Sequence, residues 1–166
     1  MKVRIFTDGA CSENPGPGGW GVVFNTASKC YTFSGNEQTT TNNRMELRAV
    51  IEAFKRIIAK ETKFCEPQHE YDIYSDSAYV VNTINNHWIE AWKKNNWKTT
   101  KNEDVKNKDL WEEFSELRTK ANNLGVSIII HKIKGHSGNT FNELVDKLAK
   151  EESMRAKKIK EGNRND

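Results

Sequence analysis

A chain of 166 residues that is 36% hydrophobic and 30% charged can bury one core of its own, and none of its apolar runs is long enough to span a membrane. The three cysteines, Cys11, Cys30 and Cys65, are odd in number and match neither a disulfide framework nor a zinc site. The first predicted strand follows Met1 directly, so we expect no signal peptide. We expect a cytoplasmic, monomeric protein with one domain over 1–158 and a frayed basic tail over 159–166.

The net charge of +3 is unevenly distributed along the chain. Segment 92–108 carries a net charge of +4, segment 147–166 carries +3, and the remaining residues together carry about −4. Such segregation favours a polyanionic partner that is bound on one side of the molecule.

Hydrophobic periodicity predicts elements in the order β-β-β-α-β-α-α-β-α. The strands are expected at 2–8, 20–25, 30–35, 71–76 and 126–133. The main helices are expected at 43–60, at 108–124 and from residue 140 onward, with a short helix near residue 81 and one or two helical turns in 87–98. Asn43 is a candidate N-cap, Gly125 a candidate helix stop, and Thr140 and Glu143 a candidate capping box.

The connections between these elements predict an α/β fold. Short links between the first three strands favour an antiparallel meander, whereas strand–helix–strand crossovers give parallel strands. We therefore expect a five-stranded mixed sheet with helices on both faces. The glycines and prolines of "ENPGPGGWG" are expected in a tight return that lets a partner approach closely.

Four acids point to one edge of this sheet. Asp8 and Asp76 end two strands that can lie parallel, Glu46 is in the first turn of a helix, and Asp146 is two turns into the last helix. Converging carboxylates repel one another unless cations hold them, and oxygen ligands suit Mg²⁺. Each acid except Asp8 also has a simpler structural explanation.

Those explanations concern helix ends and solvent. Asp76 is equally explained as the cap of the next helix, Glu46 as the partner of Asn43 in a capping box, and Asp146 as a solvated acid. The histidine of "KGHSGNT", His136, is either a solvated loop residue or a mobile proton carrier.

A basic, aromatic segment allows two interpretations. In 88–98, three tryptophans alternate with three lysines: Trp88, Trp92, Trp97, Lys93, Lys94 and Lys98. Either the tryptophans pack on the core beneath solvated lysines, or the lysines contact phosphates while the rings contact sugars or bases.

Six stretches, in order, resemble type 1 ribonuclease H in its single-domain bacterial form. They are "TDGACSENPGPGGWG", "TTNNRMEL", "YSDSAYV", "WKKNNWKT", "DLW" and "KGHSGNTFNELVD". The resemblance runs from Thr7 to about Ala149 and implies a ribonuclease H-like three-layer fold with sheet order 3-2-1-4-5.

The resemblance also implies an activity and a site. Members of the family cut the RNA strand of RNA–DNA hybrids internally and leave 5′-phosphate and 3′-hydroxyl ends. Two Mg²⁺ ions, with Mn²⁺ as a possible substitute, would be held by the family carboxylates, and the family histidine would assist proton transfer or product departure. The matching residues here are Asp8, Glu46, Asp76 and Asp146 for the metals and His136 for the histidine.

The same resemblance assigns contacts to the hybrid. Cys11, Asn14, Asn42 and Asn43 match minor-groove contacts, and Thr41 matches a DNA-phosphate contact. The basic protrusion that holds the DNA strand is matched by Trp88, Trp92, Lys93 and Lys94, and Lys98 lies beside them.

Three features set this chain apart from the family pattern. Ala78 stands where many members carry Gln, segment 61–70 is longer than usual, and no hybrid-binding module is expected before the first strand. Two other functions stay open at this point: a non-catalytic hybrid-binding module on the same fold, and a phosphotransfer protein with Asp8 as acceptor. Four retained acids argue against the first, and the tryptophan–lysine segment argues against the second.

Overall fold

The computed structural model describes residues 1–135 and 139–164. The strands are β1 (Lys2–Cys11), β2 (Gly16–Asn25), β3 (Cys30–Thr40), β4 (Glu70–Ser75) and β5 (Ser127–Lys132). The helices are α1 (Asn42–Glu61), α2 (Ala78–Asn85), α3 (Trp88–Lys94), α4 (Lys108–Asn123) and α5 (Thr140–Arg164). Within the described ranges, no helix has both the length and the apolar content that a membrane crossing needs.

The five strands form one mixed sheet in the order β3-β2-β1-β4-β5. The pairs β1–β2 and β2–β3 are antiparallel, as their short connections predict, and the pairs β1–β4 and β4–β5 are parallel, as helical crossovers predict. The predicted α/β class and the implied strand order are confirmed.

Helices cover both faces of this sheet. The larger apolar cluster joins α1, α2, α3 and α4 to one face and includes Ile5 and Trp111, and the smaller one joins α5 to the other face and includes Phe6 and Val145. Ile5 and Phe6 point to opposite faces because side chains alternate along a strand. β1 is therefore buried on both sides.

The first three strands are longer than the periodicity predicts. β1 continues past Asp8 because the backbone of Gly9, Ala10 and Cys11 pairs with Gly18–Trp20 of β2. Backbone ladders need no apolar alternation, so this extension is invisible to a pattern of side chains. Asp8 consequently lies inside β1, close to the level at which β4 ends, and not at the end of its own strand.

The glycines of β2 make room for a helix, which corrects the expectation that they form a loop open to a partner. A Cβ atom on Gly19 would lie 2.5 Å from the Ser153 nitrogen and 2.6 Å from the Ala149 carbonyl oxygen, and one on Gly21 would lie 3.0 Å from the Leu148 Cβ. The return itself is only residues 12–15. Helix α5 therefore seats directly on the backbone of β2.

Several helix ends differ from the predicted caps. Thr41, not Asn43, caps α1, and its hydroxyl accepts a hydrogen bond from the Arg44 nitrogen at 3.2 Å. Asn139 precedes α5 and its Oδ1 accepts from the backbone nitrogens of Phe141 and Asn142, so the Thr140 capping box is wrong. Gly125 follows α4 with a φ of +73°, as expected for a helix stop.

The described part of the tail continues a helix, and the long 61–70 segment is held by side-chain hydrogen bonds. α5 is helical through Arg164, and Ala156, about one turn before residue 159, is fully buried. The expected fraying from residue 159 stays a prediction. In the long 61–70 segment, Glu61 accepts a hydrogen bond from the Tyr71 hydroxyl at 2.6 Å and lies 2.7 Å from His69 Nδ1. Burial raises the pKa of Glu61, but these partners outweigh it and hold the pKa below its usual value.

Candidate active site

Asp8 is a buried carboxylate on the central strand β1. Asp8 is only 5% exposed, and its Oδ1 accepts a hydrogen bond from the Gly9 nitrogen at 2.9 Å. β1 is flanked by β2 on one side and β4 on the other, so its backbone cannot shift easily. This strand holds the Asp8 oxygens at a fixed point of the sheet.

Glu46 reaches Asp8 because the first turns of α1 pack tightly on β1. A Cβ atom on Gly9 would lie 2.4 Å from the Glu46 nitrogen and 2.5 Å from the Met45 carbonyl carbon, so only glycine fits there. Thr41 caps α1 and places Arg44, not Glu46, at the third helical position. The capping-box explanation of Glu46 is therefore excluded.

Asp76 follows β4 directly and completes a group of three acids. Ser77, not Asp76, caps α2, because its hydroxyl accepts from the Val80 nitrogen at 3.2 Å. One carboxylate oxygen from each of Asp8, Glu46 and Asp76 lies within 4.8 Å of the other two. We call these three residues the carboxylate cluster.

The electrostatics of the carboxylate cluster favour a bound cation. Burial raises the pKa of Asp8 to about 7, and the charge of Asp76 adds to the shift. Burial and then the charge of Asp8 raise the pKa of Glu46 well above its usual value. Both shifts show that the three charges are hard to accommodate together without a counter-ion.

An orphaned atom shows that the cluster fits a hard divalent cation. Glu46 Oε2 is buried and has no hydrogen-bond partner among residues 1–135 and 139–164. A buried carboxylate oxygen without a partner is costly, and coordination of Mg²⁺ or Mn²⁺ would satisfy it. The donors are all oxygens, which is the ligand type that these ions prefer.

Asp146 lies at the same cleft but outside the cluster. The cleft, of about 470 Å³, is lined by all four acids and also by Lys150. Lys150 Nζ is 2.9 Å from Asp146 Oδ2, one helical turn along α5. The structure thus brings together three of the four predicted acids and pairs the fourth with a lysine. The predicted His136 lies outside the described residues.

The residues implied in minor-groove contact lie around this cleft. Cys11, Asn42 and Asn43 line it, and Asn14 Oδ1 accepts a hydrogen bond from the Asn42 nitrogen at 3.2 Å. Thr41 uses its hydroxyl to cap α1. The loop after β1 and the start of α1 therefore form one continuous surface beside the carboxylate cluster.

The structure confirms core packing for two tryptophans of the tryptophan–lysine segment, and contact of its lysines with phosphates stays a prediction. Trp92 and Trp97 pack against the core with ring centroids 6.4 Å apart, whereas Trp88 is 45% exposed. Lys93 and Lys94 occupy the last turn of α3 and make no ion pair within the described part of the chain. Lys98 does have a partner, since its Nζ is 2.6 Å from Asp104 Oδ1.

Comparison with known proteins decides the family. The sequence profile of the RNase H family matches residues 1–154. The chain belongs to the RNase H family. RNase H enzymes are nucleases that generally depend on divalent metals, and the carboxylate cluster could hold one.

Individual RNase H proteins agree over nearly the whole chain. The Ribonuclease H of Acetivibrio thermocellus is 49% identical over 156 residues, which cover 91% of this chain and 94% of that protein. The Ribonuclease H of Caldicellulosiruptor saccharolyticus is 47% identical over 149 residues, which cover 90% and 94%. The structure of LC11-RNase H1 in complex with RNA/DNA hybrid superposes with a TM-score of 0.67 at 23% identity, covers 93% of this chain and 98% of that one, and shares the fold.

Sequence reasoning missed two polar features of this RNase H cleft. Lys150 follows Asp146 by four residues, and that helical spacing alone could have identified it as an ion-pair partner. Tyr79 lines the cleft, and its hydroxyl lies 3.0 Å from Asn107 Nδ2 and 2.9 Å from Trp111 Nε1. No local signal links Tyr79 to Asn107, because α4 reaches α2 only through the tertiary fold.

Proposed function

We propose that this RNase H family member is an endoribonuclease that hydrolyses the RNA strand of RNA–DNA hybrids and leaves 5′-phosphate and 3′-hydroxyl ends. The observation that carries the proposal is the carboxylate cluster: three acids within 4.8 Å of one another, at the edge where β1 and β4 meet in the sheet of this family. A protein that only bound a polyanion would gain nothing from buried carboxylates beside the phosphates.

Asp8, Glu46, Asp76 and Asp146 would hold the metal, which we propose to be two Mg²⁺ ions, and Asp8 would be the central ligand. When bound, such ions activate a water molecule and stabilise the leaving oxygen of an in-line displacement. Asp8 supplies the rigid attachment point, because β1 is buried on both faces. Lys150 is paired with Asp146 Oδ2, so Asp146 would join the site through its Oδ1 or after release by Lys150. We assign proton transfer or product departure to His136.

The proposed hybrid-binding surface has two parts, one at the cleft and one on the tryptophan–lysine segment. Cys11, Asn14, Asn42 and Asn43 contact the minor groove, and Thr41 contacts a DNA phosphate. Trp88, Trp92, Lys93, Lys94 and Lys98 hold the DNA strand. The support is position: the first group surrounds the cleft, and the second carries cations beside an exposed tryptophan.

A cleavage assay on an end-labelled hybrid tests the activity. The wild-type chain should cut the RNA strand internally with Mg²⁺ and stop in excess EDTA, and it should leave the DNA strand intact. Asp8→Asn should lower the rate by at least about 10²–10³-fold, because it removes the central charged ligand. The matched control is Asp72→Asn, since Asp72 is an acid of β4 that pairs with His131 away from the cleft.

The alternative function predicts a different pattern in the same assay. A hybrid-binding module would retain the hybrid in a gel shift and leave both strands uncut at every Mg²⁺ concentration. Full activity of Asp8→Asn would reject the proposed metal ligand.

We also propose that the protein is monomeric, cytoplasmic and a single domain over 1–158. Light scattering after size exclusion tests the oligomeric state, and cell fractionation tests the location. The stability of a chain ended at residue 158 tests the domain boundary.

A further inference from the structure

The loop of residues 12–15 joins β1 to β2 and carries Asn14, one of the proposed minor-groove contacts. All four of its residues are exposed, so it has almost no packing of its own. A loop in this state needs hydrogen bonds to hold one conformation, because ordering each residue costs backbone entropy. Hydrogen bonds to neighbouring elements fix the loop at the edge of the cleft.

A buried serine of α5 closes this loop. Ser153 is 3% exposed, and its hydroxyl donates to the Pro17 carbonyl oxygen at 3.1 Å. Its Oγ is also 2.7 Å from Ser12 Oγ. The Ser153 hydroxyl has one proton, and it donates that proton to the Pro17 carbonyl oxygen. The Ser12 hydroxyl is therefore the donor in its hydrogen bond to Ser153 Oγ.

The Pro17 carbonyl completes a closed arrangement. It accepts a second hydrogen bond, from the Ser12 nitrogen at 2.8 Å. Ser12, Pro17 and Ser153 thus form a ring of three hydrogen bonds that joins both ends of the loop to α5. Ser153 comes within reach only because Gly19 lets α5 seat on β2, as a Cβ there would lie 2.5 Å from the Ser153 nitrogen.

The far side of the loop is tied to α1. Asn14 Oδ1 accepts from the Asn42 nitrogen, beside the Thr41 cap. The loop therefore spans from α5, which carries Asp146, to the first turn of α1, which leads to Glu46. A change in the conformation of the loop would move Asn14 relative to both.

We propose that Ser153 is a positioning residue that sets the loop of residues 12–15 for contact with the hybrid. It touches no substrate and acts through Ser12 and Pro17. This inference rests on the proposed function, and it adds a buried residue of the C-terminal helix to the determinants of substrate affinity.

Steady-state cleavage of a labelled hybrid at 25 °C tests the proposal with Ser153→Ala. Loss of one hydrogen-bonded anchor should raise KM about fivefold and leave kcat within about twofold, since one net hydrogen bond is a factor of this size. Binding of the same hybrid to the Asp8→Asn protein with and without Ser153→Ala, followed by fluorescence anisotropy, should show the same loss of affinity.

Two control variants separate positioning from loss of stability. Ser34→Ala removes another hydroxyl contact to α5, because Ser34 Oγ donates to Glu152 Oε1 at 3.2 Å, without touching the loop. Ala156→Gly destabilises the same helix at a buried position one turn from Ser153 and removes no hydrogen bond to the loop. Both should leave KM unchanged although Ala156→Gly lowers the melting temperature.

A double-mutant cycle with Ser12→Ala decides whether the two hydroxyls act as one unit. Ser12→Ala should reproduce the change in KM, and the double variant should add nothing to either single one. An unchanged KM for Ser153→Ala, an equal rise in KM for Ala156→Gly, or additive effects of Ser12→Ala and Ser153→Ala would overturn the proposal. If the wild-type chain neither binds nor cuts the hybrid, the proposed function itself fails instead.

Discussion

Asp8 is an acid whose ionisation works against the fold that places it. Its pKa in the folded chain is raised to about 7 from an ordinary 3.8, mainly by burial. A raised pKa means that the folded state binds the proton more tightly than the unfolded chain. Its stabilising effect is present below the unfolded pKa and is lost as pH rises from about 4 to about 7.

Asp8→Asn should therefore stabilise the metal-free protein at high pH. In EDTA, the gain in free energy of unfolding should be about 2 kcal/mol larger at pH 8 than at pH 5, because the carboxamide never acquires the buried charge. Urea denaturation at the two pH values measures this difference. The same comparison in saturating Mg²⁺ is the control, since a bound cation should cancel the advantage. A gain that does not depend on pH would contradict the raised pKa.

At the scale of the residue, the sequence identified the acids by type but not by environment. Asp8 and Glu46 were singled out from their places at a predicted strand end and in a first helical turn. That Asp8 lies inside β1, and that Glu46 Oε2 is buried without a partner in the described structure, depends on Gly9 and on close packing of α1. Such packing joins residues that are distant in sequence, and no local pattern contains it.

At the scale of the element, apolar periodicity located the strands and the helices, but it misplaced the strand ends that are formed by backbone pairing. β3 was expected to stop at residue 35 and continues to Thr40, because Asn36 and Glu37 pair with Gly19 and Gly18 of β2. The glycine-rich run was interpreted as a loop, since glycine marks turns more often than strands. Its role as a seat for α5 requires knowledge of what packs on the sheet.

Helix α3 and the turn after it should act as the phosphate-binding element. Replacing Lys93 and Lys94 together by Ala should weaken hybrid binding and flatten the plot of log K against log salt by about 2, because each phosphate contact contributes about 0.9. Lys98 should contribute less, as it is already paired with Asp104. Fluorescence anisotropy of a labelled hybrid, titrated with the Asp8→Asn protein at salt concentrations from about 50 to 200 mM, measures the slope.

A matched pair of lysines controls for net charge. Lys60 and Lys63 lie at the opposite end of α1 from Glu46. The helical rise of 1.5 Å per residue separates Lys60 from Glu46 by about 21 Å. Replacing the two lysines by Ala changes the net charge equally and should leave the salt slope nearly unchanged. Equal slopes for the two double variants would show that α3 has no special contact with phosphate.

At the scale of the whole molecule, the carboxylate cluster joins elements that are distant in the sequence. Asp8 belongs to the sheet, Glu46 to α1 and Asp76 to the link between β4 and α2. A cation on these three residues would cross-link the sheet to the helices on one face, and recruitment of Asp146 would extend the link to α5 on the other. Binding to the folded state alone then stabilises the entire domain by mass action.

Mg²⁺ should consequently raise the melting temperature of the free protein in the absence of any substrate. At a concentration about 100 times the dissociation constant, binding contributes about 2.7 kcal/mol, which corresponds to roughly 5–10 °C for a chain of this size. Differential scanning fluorimetry across a Mg²⁺ series at constant ionic strength measures the shift. Asp8→Asn should melt higher than the wild type in EDTA and respond little to Mg²⁺, whereas Asp72→Asn should respond as the wild type does. An equal response of Asp8→Asn and wild type would place the stabilising cation elsewhere, because a cation that binds only the folded state raises the melting temperature from whichever site it occupies.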